Sequence, residues 1–275
     1  EFESIRQNGK IAISLRDDDE LVKVALEANG CNIEYASKRI RDDLEMSLDW
    51  YKNKGTISEA FNYVRGLLEY SGVLVMLSGI VGKNTHRALS IEEFRAFAMV
   101  DEWAPLIFIN SVDSQGAKLF SLYHEIAHIW LGENDFYNDR RHTVDNIDPI
   151  EVLCNAVASE LMVPVEAFLQ QWQDCEDEDV FAKITLLANK FKCGKSVVAR
   201  KALDNLKIDQ ASYNQVIDDA IEGFRIQKEN KESSGGNYYN TMGTRLDGRL
   251  VRALCESIRS GRTVNNIFTV WYDIC

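Results

Sequence analysis

Positive charge is in short supply in this 275-residue chain: 31 lysines and arginines face 43 aspartates and glutamates, a formal net charge of −12. A balance that acidic repels phosphate and opposes non-specific nucleic-acid binding, so direct DNA contact is not expected. Long apolar runs are missing too. Val73-Leu74-Val75-Met76-Leu77 is among the longest, far short of the ~20 residues a membrane helix needs. No N-terminal signal segment is visible, so no membrane partner is expected and the expected location is the cytoplasm. Six cysteines are scattered without Cys-x-x-Cys spacing, in a chain too large to need staples. That excludes a disulfide framework and reads as reduced thiols. The chain opens Glu1-Phe2 without a methionine, and the expectation is a fragment whose upstream part is missing. Histidine is scarce as well. There are four, and two of them fall within five residues.

Those five, His124-Glu125-Ile126-Ala127-His128, specify a metal, a base and a reaction. Residues four apart on a helix lie one above the other, so both imidazoles share a face. Two neutral imidazoles at that separation suit a tetrahedral Zn²⁺; Mn²⁺ or Fe²⁺ also suit a His/His/Glu donor set. Glu125 lies roughly 100° round the helix from His124, within reach of the reacting water without binding the metal itself. A Lewis acid beside a carboxylate that takes the water's proton is what a zinc hydrolase needs. The bland alternative, two core histidines and a solvated glutamate, is opposed by context. Residues 117–131 read as an amphipathic helix with Leu119, Leu122, Ile126 and Ile129 as its apolar stripe. The run 105–110 before it reads as a short strand.

A zinc site open to water takes three protein ligands. A third histidine six residues after the second is ruled out, because that position is Asn134, and Leu131 stands where such a pattern needs a turn glycine. Asp148-Pro149-Ile150-Glu151 opens a second helix, with Asp148 as N-cap and Pro149 as first helical residue. Val152, Leu153, Ala156, Val157 and Leu161 make its apolar side. Glu151 and Asn155 are four apart and share a face, whereas Glu160 falls on the opposite one and reads as solvent-facing or as a support for a ligand. Glu151 is open to two readings. It is either a capping-box carboxylate reaching back to residue 148 or the third ligand, and the upstream motif's need for another donor favours the second. Asn155 is placed to hold a zinc-bound histidine through its other ring nitrogen. His142, in the loop between the helices, reads as a surface residue, with an oxyanion-stabilising role as the alternative.

HEIAHIWLG, followed after the loop by EVLCNAVASELMVP, resembles the ImmA/IrrE family of bacterial metallopeptidases. Its members pair an HExxH helix with a second helix of the form E-x-x-A-N-x-F-A-x-x-L-L-M-P. The likeness rests on Glu151, Asn155, Ala158, Leu161, Met162 and Pro164 and spans roughly residues 60–170. Cys154 stands where alanine is usual and Val157 where phenylalanine is usual; both are apolar swaps that leave the ligand position intact. The resemblance implies a minimal zincin-like core with Glu151 as third ligand. It also implies a protein substrate, since many members cleave a helix-turn-helix repressor and so switch on prophage, mobile-element or stress genes. Relatives often carry a DNA-binding domain upstream.

The expected fold class is α+β: a small sheet with the HExxH and Glu-bearing helices, flanked by helical N- and C-terminal additions. The expected division is an N-terminal polar segment and helices over 1–60, the metallopeptidase core over 61–172, and a helical C-terminal region over 173–275. Residues 1–30 are polar with an acidic cluster, and helices are expected around 35–51 and 57–70. A strand at 72–77 and a hairpin of 94–100 with 105–110 across Asp101-Glu102-Trp103 give three strands. An exposed edge of that sheet would hold an extended substrate by strand addition. After an acidic linker at 174–179, residues 184–203 have the rhythm of a helix-turn-helix, with Gly194 near the turn. They carry Lys190, Lys192, Lys195, Arg200 and Lys201 and no acid, a pattern open to DNA reading. The acidic net charge favours instead a helical pair that packs on the enzyme or docks its substrate. Residues 233–240 form a turn-rich break, with Tyr238 and Tyr239 read as anchors. A helix over 245–258 and an apolar tail at 269–275 follow.

Three functions compete. The first is a zinc-dependent endopeptidase of narrow specificity. The second is a regulatory module that binds a repressor or senses a ligand without cutting, and the third is a DNA-binding regulator using 184–203. Glu125 favours the first, because a pure binding module has no use for a base beside the ligands.

Overall fold

Short apolar runs build the sheet, and the period of two in a strand sends successive side chains to opposite faces. The computed structural model describes residues 33–81, 84–101, 103–132, 149–175, 178–230, 245 and 247–261. In it β1 (Leu74–Ser78) runs parallel to β5 (Leu106–Asn110), and β4 (Ala96–Met99) pairs antiparallel with the other side of β5. The order β1-β5-β4 puts β5 in the centre and β4 at an edge. Val75, Ile107 and Ala98 share one row of the register and Leu77, Ile109 and Ala96 the next, so these six face the helices together. A separate antiparallel pair, β2 (Ile80–Val81) and β3 (Asn84–Ala88), was not anticipated.

Among the described residues two helices precede the sheet, α1 (Ile33–Asp43) and α2 (Ile57–Tyr70). The helix expected to run to residue 51 stops at 43, where the backbone turns through a left-handed Glu45 at φ 51°. Trp50 and Tyr51 still enter the core at 3% exposure, carried by turns rather than by helix. After the sheet comes α3 (Gln115–Leu131), begun by the Ser114 hydroxyl accepting from Ala117 N at 3.2 Å and ended by a left-handed Gly132. Its predicted stripe is buried, and so is every residue from Ser121 to Leu131. The reason is that α3 is the central element, packed on α2, β4, β5 and the next helix, α4 (Pro149–Met162). On α4 the inward side is Leu153, Cys154, Val157, Ala158 and Leu161. Val152, expected on that side, is 54% exposed, while Cys154 and Ala158 are fully buried.

The chain then bends into α5 (Val165–Asp174), which the sequence reading passed over, and continues through α6 (Val180–Phe191) and α7 (Lys195–Asp204). These last two are the expected helix-turn-helix, with Gly194 as the N-cap of α7. Ile184, Leu187, Phe191, Val198 and Ala202 lie in the same core cluster as the sheet and α3. The turn seats on the first turn of α3: a Cβ added to Gly116 would stand 3.3 Å from Gly194 Cα and N. α8 (Gln210–Asn230), also not anticipated, packs on α7. α9 (Gly248–Arg259) starts three residues later than expected because Asp247 caps it, accepting from Arg249 N at 2.8 Å. Arg249 ties this helix to the entrance of β1 by donating to Val73 O at 2.7 Å and to Glu69 O.

The fold class is α+β, as expected, with a small three-stranded sheet and helical flanks. Among the described residues no single helix is long and apolar enough to cross a membrane. The expectations for residues 1–30, Glu102, Asn134, His142, Asp148, the 233–240 break with Tyr238 and Tyr239, and the 269–275 tail lie outside the described residues.

Candidate metal centre

One helical turn of α3 supplies two imidazoles, and the first turn of α4 supplies a carboxylate. His124 is 8% exposed and His128 2%, and Glu151 enters from the N-terminal end of α4. Nε2 of His124 lies 3.0 Å from Nε2 of His128. Glu151 Oε2 is 3.2 Å from the first of these nitrogens and Oε1 3.2 Å from the second. Both carboxylate oxygens are therefore turned to the imidazoles, the geometry of a donor cluster.

The chemistry of this triangle asks for a cation. Asn155 Oδ1 stands 3.1 Å from His124 Nδ1, so the Nδ1–H of His124 donates to it and Nε2 keeps its lone pair. Two Nε2 atoms 3.0 Å apart cannot both carry a proton between them. Lone pairs and a carboxylate would otherwise converge on one point with nothing to bind. A tetrahedral ion with ligands at ~2.0–2.1 Å separates its donors by about 3.3 Å, close to the separations seen. His124, His128 and Glu151 form the one described group of three such donors that could hold a metal ion. The imidazoles of His124 and then His128 beside it hold the Glu151 carboxyl far below the ordinary carboxylate range, against the burial that raises it.

Glu125, one residue past the first imidazole, is 1% exposed. Burying a carboxylate costs free energy unless it is paired or hydrogen-bonded. Asn155, read from spacing as a partner for a histidine, touches His124 and not His128. His128 Nδ1 is buried without a hydrogen-bond partner. Glu160 is neither a donor to the cluster nor solvent-facing. Its side chain is 15% exposed, with Oε2 accepting from Lys201 Nζ at 2.7 Å and Oε1 from Val165 N at 2.9 Å.

Two residues that sequence reasoning missed meet at the far end of α4. Arg41 Nη2 donates to Glu160 O at 2.6 Å and to Leu161 O at 3.0 Å, and Trp50 Nε1 donates to Leu161 O at 3.2 Å. No local pattern could have found them, since about 120 residues separate the partners.

A protein-family model, Peptidase_M78, described as the IrrE N-terminal-like domain, matches residues 68–203. The match takes in the sheet, both helices of the donor cluster and nearly all of the α6–α7 pair. No curated protein matches the chain.

Proposed function

We propose, starting from a chain that belongs through residues 68–203 to the IrrE N-terminal-like peptidase family, that this metallopeptidase is a zinc-dependent endopeptidase acting on a helix-turn-helix repressor. The observation that carries the reading is the convergence of His124, His128 and Glu151 at 3.0–3.2 Å beside a buried Glu125. In this reading those three side chains hold the ion and Asn155 fixes the tautomer of His124. A hydrogen bond to the outer ring nitrogen is the usual way to orient a ligating histidine. When bound, the metal polarises the scissile carbonyl and makes water a better nucleophile. Glu125 takes the proton of the attacking water and passes it to the leaving nitrogen, which leaves as a neutral amine. Zn²⁺ is the ion proposed; the donor set also suits Mn²⁺ or Fe²⁺.

β4 is the edge strand that packs against α3. An extended peptide added to its outer side would be held by main-chain hydrogen bonds on the sheet that packs against the histidine-bearing helix. A repressor's DNA-binding domain is basic, and the net charge of −12 complements it. The location in this reading is the cytoplasm, where such a repressor works. The α6–α7 pair fits a packing role better than DNA reading, because three of the five cations in residues 184–203 are engaged within the chain. Lys201 is buried against Glu160, Arg200 pairs with Asp204, and Lys190 donates to Gln171.

The test is cleavage of the repressor, read by gel and intact-mass spectrometry, by wild type with and without chelator and by Glu125→Gln. Wild type should cut and chelator should stop it. Glu125→Gln should keep its metal and cut ~10²–10⁴-fold more slowly, the loss typical of a general acid or base. If Glu125→Gln released the repressor's target genes as well as wild type does, cutting would not be the mechanism and the non-cleaving binding module would take its place.

A further inference from the structure

The two ends of α4 are held very differently. Its N-terminal turn carries Glu151, whose carboxylate faces the two imidazoles. Its C-terminal end receives donors from three separate segments: Arg41 on α1, Trp50 in the turns after it, and Lys201 on α7. Glu160 Oε1 also accepts from Val165 N and so fixes the bend into α5.

The last carbonyls of a helix have no partner within it and form the negative end of its dipole. A guanidinium there is both hydrogen-bond donor and counter-charge. Yet Arg41 is only 5% exposed, and burying a cation gains little net stability over an apolar side chain of the same bulk. What a buried, hydrogen-bonded charge does supply is a defined position. α4 otherwise buries Leu153, Cys154, Val157, Ala158 and Leu161, and the hydrophobic gain of such contact is non-directional. One residue of slip moves a helix about 1.5 Å along its axis. A metal site tolerates about 0.2 Å in a ligand distance.

Resting on the ligand assignment made above, we propose that Arg41 is a positioning residue for the metal centre: by gripping the last carbonyls of α4 it sets the axial seat of that helix, and so the distance of Glu151 from the histidine pair. The grip lies nine and ten residues beyond Glu151, roughly 14–15 Å along the helix. Arg41 therefore acts without touching the ion or the substrate.

The experiment compares Arg41→Ala, Arg41→Lys, Trp50→Phe and a control, Val64→Ala, which removes fully buried bulk from α2. Each protein is titrated with Co²⁺, whose visible absorption reports coordination geometry. Zn²⁺ affinity is measured by chelator competition, and the metal-free protein is melted. Arg41→Ala should weaken metal binding by at least about tenfold, the lower end of the ~10–100-fold seen when supports of metal ligands are removed. Its Co²⁺ band should shift as well, and Arg41→Lys should recover part of both. Val64→Ala should lower the melting temperature and leave affinity and band where they were. Arg41→Ala with wild-type affinity and band but a lower melting temperature would overturn the proposal. Should Arg41→Ala fail to fold, Trp50→Phe decides: it keeps an aromatic ring and loses the donor to Leu161 O, so a smaller loss of affinity supports the proposal and none overturns it. A wild-type protein that takes up no Co²⁺ overturns the ligand assignment itself, visibly and before any variant is compared.

Discussion

Two glutamates on one helix are driven apart in role by where the helix turns them. Glu151 looks toward two imidazoles at 3.2 Å, and Glu160 toward Lys201 at 2.7 Å. Replacing each with glutamine should separate the roles. Glu151→Gln should lower the metal content of protein purified without added metal. Glu160→Gln should keep the metal and lower the melting temperature, because it strands a lysine that is 7% exposed; breaking one side of a buried pair costs about 3–5 kcal/mol. Elemental analysis and a thermal melt check both, and a drop in metal content for Glu160→Gln alone would mean the donor is the wrong carboxylate. The cysteines offer a second test. Burial pushes the Cys193 thiol up to about 12, so at pH 8 only about one molecule in 10⁴ is thiolate, and the thiolate is the reactive form. Iodoacetamide on the native protein should label half-buried Cys175 well before Cys193, as peptide mass spectrometry would show. At this scale the clustering of His124, His128 and Glu151 was legible because the three are local. One HExxH turn and one carboxylate in the next helix bring them together. Arg41 and Trp50 were illegible for the opposite reason, their partners being defined by tertiary packing alone.

Elements with a strong period were readable. The α3 stripe, the β4–β5 hairpin and the α6–α7 pair all stand where alternation or 3.6-residue spacing put them. Elements with a thin buried face were not. Among its described residues α8 buries Val216 and little else, and α5 contributes Phe168 and Trp172, too few positions to outweigh polar neighbours. β2 has two residues, below what alternation can show. The α1 boundary misled because Met46, Trp50 and Tyr51 are buried, and burial keeps an apolar rhythm going after the helix has ended. Two glycines make a matched prediction about elements. Gly66 lies within α2, and a methyl added there would meet nothing within 4 Å, whereas a methyl on Gly116 meets the backbone of Gly194 at 3.3 Å. Gly66→Ala should gain about 0.8–1 kcal/mol from helix propensity. Gly116→Ala should lose that gain to the crowded turn and come out neutral or destabilised. Equilibrium unfolding in urea measures both, and equal stabilisation would show that the turn yields freely.

For the molecule as a whole, the helices after residue 173 are not an appendage. Ile184, Leu187, Phe191, Val198 and Ala202 complete the cluster that α3 and the sheet begin, and Lys201 closes the ion pair with Glu160. A chain ended after Asp174 should therefore lose its cooperative thermal transition and its metal together. One ended after Asp209, which keeps α7 but gives up the contact of buried Val216, should melt earlier and still bind metal. Calorimetry with and without Zn²⁺ distinguishes the two. A cooperative melt from the shorter chain would show that the donor helices and sheet fold alone.

The grip of Arg41 on α4 also sets a clock. Arg41 and its acceptor Leu161 are 120 residues apart, so at ~5–20 residues per second of synthesis the wait between them is about 6–24 s. Through that interval α1 has left the ribosome with a guanidinium and an apolar face made for a helix that does not yet exist. Hydrophobic surface exposed that long in a nascent chain is what holdase chaperones bind. Slowing translation anywhere between codons 41 and 161 should lengthen the wait and lower the yield of folded protein, while slowing it after codon 204 should leave the yield unchanged.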